Sequence, residues 1–257
     1  MPASEKRKPF KGKVAFVSGG TRGIGLAIAQ KLVERGAHIV FSYLRSRSDA
    51  QKAEQLLSAH LVKVLSVRAN MGNEEQVGGI FETIRREFGA LDFIIHNAAT
   101  GDLKPALELT SEEWERTMEI NLKSLLLCAQ MGAPLMRGRH GRIVSISSHG
   151  SQRYLPNYTA VGVAKAATES LSRYLAVELA PKGINVNVVM AGTTDTQSLR
   201  GIPRHEEMLE LAKSRTPVGR IGHPEDIANV VTFLCSEESR WIVGQTLVAD
   251  GGYSILA

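Results

Sequence analysis

Residues 141–173, GRIVSISSHGSQRYLPNYTAVGVAKAATESLSR, decide how the rest of the chain is read. The run RIVSIS at 142–147 is short and largely apolar, as expected of a buried strand, and it gives way to a polar loop. A long helix follows and carries Lys165. Tyr158 lies seven residues before Lys165. At about 100° per residue, seven steps end roughly 20° short of two full turns. The two side chains therefore share a face, provided that the helix begins at or before Tyr158. A phenol held beside an ammonium is expected to have its pKa drawn down toward neutrality, because the positive charge favours phenolate. Ser147 or Ser148, at the strand end, is placed to add a hydrogen bond to the same reacting oxygen.

Outward from this strand–loop–helix unit the pattern repeats. Residues 13–18 (KVAFVS), 38–43, 61–68, 91–97, 184–189 and 245–249 read as strands. Residues 24–35, 48–59, 73–88 and 224–234 read as helices, as does a long segment opened by Ser111 that runs through Asn121 toward residue 136. Its opening Ser-x-x-Trp lacks the full capping box, and Glu112 and Glu113 favour the helix N-terminus instead. Such alternation predicts an α/β fold, a doubly wound parallel β-sheet flanked by helices in a single domain over residues 12–257. Residues 1–11 are expected to be a flexible basic tail. The long irregular region, 190–220, is of the size expected for a binding lid.

At 257 residues and 43% hydrophobic content the chain can bury a large core. Its net charge of +5 raises the question of nucleic acid, but most of that charge is local. Residues 1–13 hold five cations (Lys6, Arg7, Lys8, Lys11 and Lys13) against Glu5, which is +4 of the +5. No helix-turn-helix, zinc or RNA-binding signature accompanies them, so no nucleic-acid partner is expected. No apolar run reaches the 18 or so residues that span a bilayer, and MPASEKRKPFKGK contains no apolar signal segment. A soluble cytoplasmic protein is expected, with Cys128 and Cys235 as buried free thiols. The scattered histidines and two distant cysteines predict no metal site. His96 and His149 fall near the centre above and are expected to be held by ordinary hydrogen bonds.

Between the first strand and first helix stands Ser18-Gly19-Gly20-Thr21-Arg22-Gly23-Ile24-Gly25. Glycines there let backbone approach a pyrophosphate, and the helix N-terminus adds N–H donors and positive dipole, which points to a dinucleotide. An NAD site wants a carboxylate at the end of the second strand. Here Phe41-Ser42-Tyr43-Leu44-Arg45-Ser46-Arg47 reaches no acid until Asp49. Arg45 and Arg47, with Arg22, favour a 2′-phosphate and so NADPH.

The glycine loop, His96-Asn97-Ala98-Ala99, Asn121, the serines of 142–148, Lys165 and Asp250-Gly251-Gly252 together resemble the short-chain dehydrogenase/reductase family, from about Lys11 to the C-terminus. The resemblance implies a Rossmann-like fold, a nicotinamide cofactor and a homotetramer. The chain departs from the family's common Tyr-x-x-x-Lys, with Val161 in the tyrosine slot; Ala191-Gly192 replaces its Pro-Gly. The Tyr-x6-Lys spacing, Asn-Ala-Ala and the arginines after strand two are similar to the NADPH-dependent bacterial enoyl-acyl-carrier-protein reductases. That resemblance implies reduction of 2-enoyl thioesters on acyl carrier protein or coenzyme A. Tyr158, Lys165, Ser148 and Asn121 would be catalytic. Gly19, Thr21, Arg22, Gly23, Ile24, Gly25, Arg45, Asn70, Met71, Asn97, Ala98, Lys165, Gly192, Thr194 and Thr196 would bind cofactor. Tyr154, Tyr158 and Ala99 would meet the substrate. Tyr154 is a rival phenol. Arg200, Arg204, Lys213 and Arg215 flank the expected lid and are placed to meet an acidic carrier. Two alternatives stay open: a 3-oxoacyl or other carbonyl reductase, and a silent dinucleotide-binding sensor.

Overall fold

The computed structural model describes residues 8–136, 138, 140–200 and 205–256. Its strands are β1 (Val14–Val17), β2 (His38–Tyr43), β3 (Val64–Arg68), β4 (Phe93–His96), β5 (Arg142–Ser148), β6 (Asn185–Ala191) and β7 (Thr246–Ala249). All pair in parallel, in the order β3-β2-β1-β4-β5-β6-β7. The helices are α1 (Gly23–Glu34), α2 (Arg47–Ser58), α3 (Glu74–Phe88), α4 (Ser111–Met118), α5 (Ser124–Gly132), α6 (Thr159–Leu179), α7 (Gln197–Arg200), α8 (His205–Arg215) and α9 (Pro224–Leu234). The doubly wound, Rossmann-like sheet expected from the sequence is the one observed. Its strand order reverses between β1 and β4, and in such sheets the crevice beyond the strand ends at that reversal is where ligands bind.

Two apolar layers hold the sheet. On one face Ile28, Leu32, Leu57, Ile227 and Val231 of α1, α2 and α9 pack on Val17, Phe41 and Ile95. On the other, Ile80, Phe81, Leu125, Leu175 and Leu179 of α3, α5 and α6 pack on Phe16, Ile94 and Ile143. Strands covered on both sides need apolar residues at consecutive positions, and β1 and β4 are buried throughout. The ends of α3 show why it stops where it does. Asn73 accepts from Gln76 N–H, Glu74 and Glu75 sit in the first turn, Arg85 and Arg86 in the last, and Gly89 closes it at φ 71°.

The sequence reading needs four corrections. Of the expected tail, residues 1–7 lie outside the described residues, but 8–11 are not a tail. Phe10 is 3% exposed, meets the Phe93 ring edge-on at 5.1 Å, and donates its N–H to Arg35 O. Burying a phenyl ring is worth roughly 1.5–3 kcal/mol, enough to dock a short polar segment. The segment from Ser111 is capped by Thr110, with a full Thr110–Glu113 capping box one residue earlier than expected. It is also not one α-helix, since Glu119–Lys123 form a π-helical turn between α4 and α5. Finally, 190–220 is not irregular throughout: β6 runs to Ala191, and α7 and α8 stand on either side of 201–204, which lie outside the described residues.

Candidate active site

The glycine loop is fastened from below by uncharged groups. Because β1 and β4 are neighbours, Ser18 and Asn97 leave the sheet side by side. Asn97 Nδ2 donates to the Ser18 and Gly19 carbonyls at 2.9 and 3.1 Å, and the N–H groups of Asn97 and Ala98 both donate to Ser18 Oγ at 2.9 Å. Gly19, at φ 70°, donates its N–H to Ser42 Oγ, and that hydroxyl donates to Met71 Sδ at 3.4 Å. Gly25 has no room for a side chain: a Cβ there would overlap the Gly19 carbonyl oxygen and come within 2.6 Å of Asn97 Nδ2. Thr21, Arg22, Gly23 and Ile24 make the turn into α1. Arg22 gives that helix no side-chain cap, and its first turn holds no acid. Its N–H groups and dipole therefore stay open to an anion, and these residues fit a dinucleotide pyrophosphate.

Beyond β2 and β3, Arg45, Arg47 and Arg68 line one cleft with Tyr43 and Ser66. Arg68 was not singled out in the sequence; only its place at the end of β3, paired with Tyr43, brings it there. Asn70 uses Oδ1 to accept from Gly72 N–H, which leaves its amide nitrogen as a donor.

The second half of the site hangs on β5 and α6. Tyr158 is the N-cap residue of α6, which begins at Thr159, one residue later than the expected sharing of a face with Lys165 requires. Tyr158 Oη and Ser148 Oγ are 3.3 Å apart. Alternation along β5 separates the two serines: Ser147 Oγ turns the other way and donates to Glu169 Oε1 at 2.5 Å. Lys165 is 5% exposed and donates from Nζ to Ile146 O at 2.7 Å. The phenol is not drawn toward neutrality, contrary to expectation. Burial pushes its pKa up, and only the Ser148 hydrogen bond acts the other way. Burial also draws Lys165 down to about 8, opposed by Glu169. At neutral pH the phenol is thus protonated and Lys165 is an ammonium, each with its own partner: Tyr158 meets Ser148, and Lys165 meets the Ile146 carbonyl.

Asn121 sits in the π-helical turn with its side chain fully used. Nδ2 donates to Thr100 O and Thr117 O, and Oδ1 accepts from Thr100 N–H. Its carbonyl accepts from Thr168 of α6. Asn121 therefore ties the loop after β4 to the two helices. Val161, in the slot one turn beyond Tyr158, is buried against Gly101, whose backbone approaches so closely that a Cβ there would overlap the valine methyl. Tyr154 is 84% exposed and Ala99 is exposed, while Ala98 flanks Gly19.

At the end of β6, Gly192 donates its N–H to Ala249 O. Thr194 is buried and donates to Gly192 O, and Thr196 caps α7 while its methyl faces Gly23 of the phosphate loop. His149 meets Asp250 at 3.0 Å and stacks on Tyr253, which fastens the loop after Ser148 to the segment after β7. His96 is held by Ser124 at 2.7 Å through Nε2 only; its Nδ1 is buried without a partner. Of the four basic residues around 190–220, Arg200 is paired with Asp195, Lys213 and Arg215 are exposed, and Arg204 lies outside the described residues. Among the described residues no group of His, Cys, Asp and Glu is placed to hold a metal.

Residues 19–254 match the family described as Enoyl-(Acyl carrier protein) reductase. The chain is 37% identical to 1-cyclohexenylcarbonyl-CoA reductase of Streptomyces collinus, over 95% of this chain and 88% of that one. It is 36% identical to the 3-oxoacyl-[acyl-carrier-protein] reductase of Escherichia coli, over 95% and 98%. A short-chain dehydrogenase from Burkholderia cenocepacia solved in complex with NADP superposes with a TM-score of 0.90 at 30% identity, covering 96% of this chain and 99% of that one.

Proposed function

The chain belongs to the short-chain dehydrogenase/reductase family, and on that footing we propose that it reduces the 2,3 double bond of enoyl thioesters with NADPH. One observation carries the choice of bond. The phenol that meets Ser148 is Tyr158, seven residues before Lys165, and the slot four residues before Lys165 is a buried valine closed off by Gly101. A carbonyl reductase protonates the oxygen on the carbon that receives hydride. An enoyl thioester takes hydride at the β-carbon while charge develops on the thioester oxygen, two carbons away. A phenol set back by about one turn along α6 suits that displaced oxygen. The Streptomyces relative, named for a cyclohexenylcarbonyl thioester, supports the reading.

NADPH, when bound, supplies the hydride. The uncapped start of α1 and the glycine loop would hold its pyrophosphate, Arg45 and Arg68 its 2′-phosphate, and Lys165 its nicotinamide ribose hydroxyls. Tyr158, kept protonated by burial, would donate a hydrogen bond to the thioester oxygen as the enolate forms, and a proton drawn from solvent would then add at the α-carbon. Ser148 orients that phenol. Asn121 shapes the pocket without taking part in proton transfer. Of the described residues, 192–200 and 205–220 would close over the substrate, with Tyr154 and Ala99 at its edge. Thr194 and Thr196 would meet the cofactor.

The carrier would be acyl carrier protein or coenzyme A. We also propose a homotetramer, supported by an exposed apolar face of Trp114, Met118, Leu122, Leu126, Leu171 and Tyr174 on and between α4, α5 and α6. No helix among the described residues is long and apolar enough to cross a membrane. The buried free thiols Cys128 and Cys235 support a cytoplasmic setting.

The test is NADPH oxidation with crotonyl and acetoacetyl thioesters side by side, in wild type and Tyr158→Phe. Turnover of crotonyl alone, falling about 10²–10³-fold in the variant with NADPH still bound, is the expected result. Turnover of acetoacetyl alone would move the chain to the 3-oxoacyl reductases, the reading that the Escherichia coli relative favours. Tight NADPH binding with neither turnover would leave a dinucleotide sensor.

A further inference from the structure

Tyr158 stands at the N-cap of α6 with φ −105° and ψ 15°, outside helical geometry. What its ring lies against therefore decides where the phenol points. The ring lies against the backbone of Gly150, where a Cβ would come within 2.4 Å of Tyr158 Cδ1. α6 reaches the same residue through Gly162, where a Cβ would come within 2.6 Å of the Gly150 carbonyl oxygen. Gly150 belongs to the single turn His149–Ser151, too short to be stable by itself. Its firm attachment is at His149. Nε2 of that ring lies 3.0 Å from Asp250 Oδ2, and the ring stacks on Tyr253 with centroids 5.1 Å apart and planes 12° from parallel. Asp250 is itself fixed: Oδ1 accepts from Gly252 N–H at 2.9 Å and Oδ2 from Ser254 N–H at 2.8 Å. The His149 and Asp250 side chains are only 7% and 5% exposed, so water competes little for their bond. Arg153 links the same two segments through Ser254 O, but that bond is exposed. The reduction as described uses neither His149 nor Asp250.

We propose that His149 and Asp250 are positioning residues: their bond holds the His149–Ser151 turn so that Gly150 keeps the Tyr158 ring aimed at the reacting oxygen. Both oxygens of the carboxylate accept, so His149 Nε2 carries the proton of that bond. The consequence for rate rests on the reading of Tyr158 as the phenol of the reduction. Slack in the turn swings the phenol and leaves the cofactor's grip, made at the glycine loop and the arginine cleft, where it is. Misplacing a reacting group by about 1 Å costs on the order of hundredfold in rate.

His149→Phe keeps a ring to stack on Tyr253 and removes the bond. With whichever thioester the wild type reduces, kcat should fall about 10- to 100-fold while KM and NADPH affinity hold steady. His149→Gln returns an N–H donor at similar reach and should recover most of that loss. Adding His149→Phe to Asp250→Ala should cost little beyond Asp250→Ala alone, since the two residues act as one. An unchanged kcat in His149→Phe, a loss carried by KM, or an equal loss in His149→Gln overturns the proposal. Two measurements need no substrate. The ring-nitrogen NMR resonances of wild-type His149 should show Nε2 protonated, and a bare Nε2 overturns the proposal without any variant having to fold. The Tyr158 Cζ resonance, assigned with Tyr158→Phe, should move in His149→Phe and return in His149→Gln, and a resonance that stays in place overturns it as well. Failure to reduce crotonyl thioester would remove the enoyl reading and leave these two results to decide.

Discussion

The phosphate loop and the β5–α6 centre are built from different materials. Ser18, Ser42, Asn97 and main-chain amides hold the loop, and none of these groups titrates in the physiological range. Around α6 the pieces are a lysine, a glutamate, a histidine and a phenol, all largely withdrawn from water, with two of their pKa values drawn down to about 8 and about 3. The contrast separates two tasks. A region that only grips an anion works best with fixed dipoles. A region that must offer and recover protons needs groups whose charge can change, and burial makes those groups sensitive to each other.

The sharpest way to break the first region is geometric. Gly25→Ala pushes a methyl into the Gly19 carbonyl, and a shift of that backbone by about 1 Å should weaken NADPH binding on the order of hundredfold by fluorescence titration, with the sheet intact by circular dichroism. A pH series tests the contrast itself. Lys165 is protonated below about 8 and loses its charge above it, so kcat/KM for the enoyl thioester should fall about tenfold per unit beyond that point. Binding of 2′,5′-ADP, which engages only the loop half, should stay flat from about pH 7 to 9. Parallel decline of both would erase the distinction. Val161→Tyr probes the second region by overpacking: Gly101 leaves no space, so the variant should lose about 1–3 kcal/mol in chemical denaturation and gain no acetoacetyl reduction. The smallest effect belongs to Tyr154→Phe. An exposed phenol should change turnover by less than about twofold, and a larger loss would return it to the centre.

The same division governs what could be read from the letters alone. The loop was legible because its requirements are local: a strand, glycines, a helix start, and arginines one strand over. The element order was legible for the same reason. In the catalytic half, spacing put Tyr158 and Lys165 on one face only for a helix begun by Tyr158, whereas α6 starts one residue later; nor could it supply burial, which reversed the expected direction of the phenol's pKa. Periodicity alone also left Ser147 and Ser148 equivalent; the family resemblance chose Ser148, and the structure gives that serine to Tyr158 and the other to Glu169. Glu169 went unnoticed because a glutamate on a helix normally faces water. Thr110-x-x-Glu113 was a visible capping box passed over for Ser111, and Phe10 was a lone aromatic hidden in a basic run. The helices of 190–220 could not be separated from loop by the weak periodicity of their sequence.

One contact joins moments as well as positions. His149, beside the serine that meets Tyr158, closes on Asp250, 101 residues further along the chain. While the protein is being synthesised, β4, β5 and α6 emerge first and can pair and pack. The loop carrying His149 packs on α6, but the His149 ring has no carboxylate to meet until β7 and Asp250 have left the ribosome. A chain halted before that point can hold a sheet and a glycine loop, and so a grip on nucleotide, while the reductive centre is still unfastened.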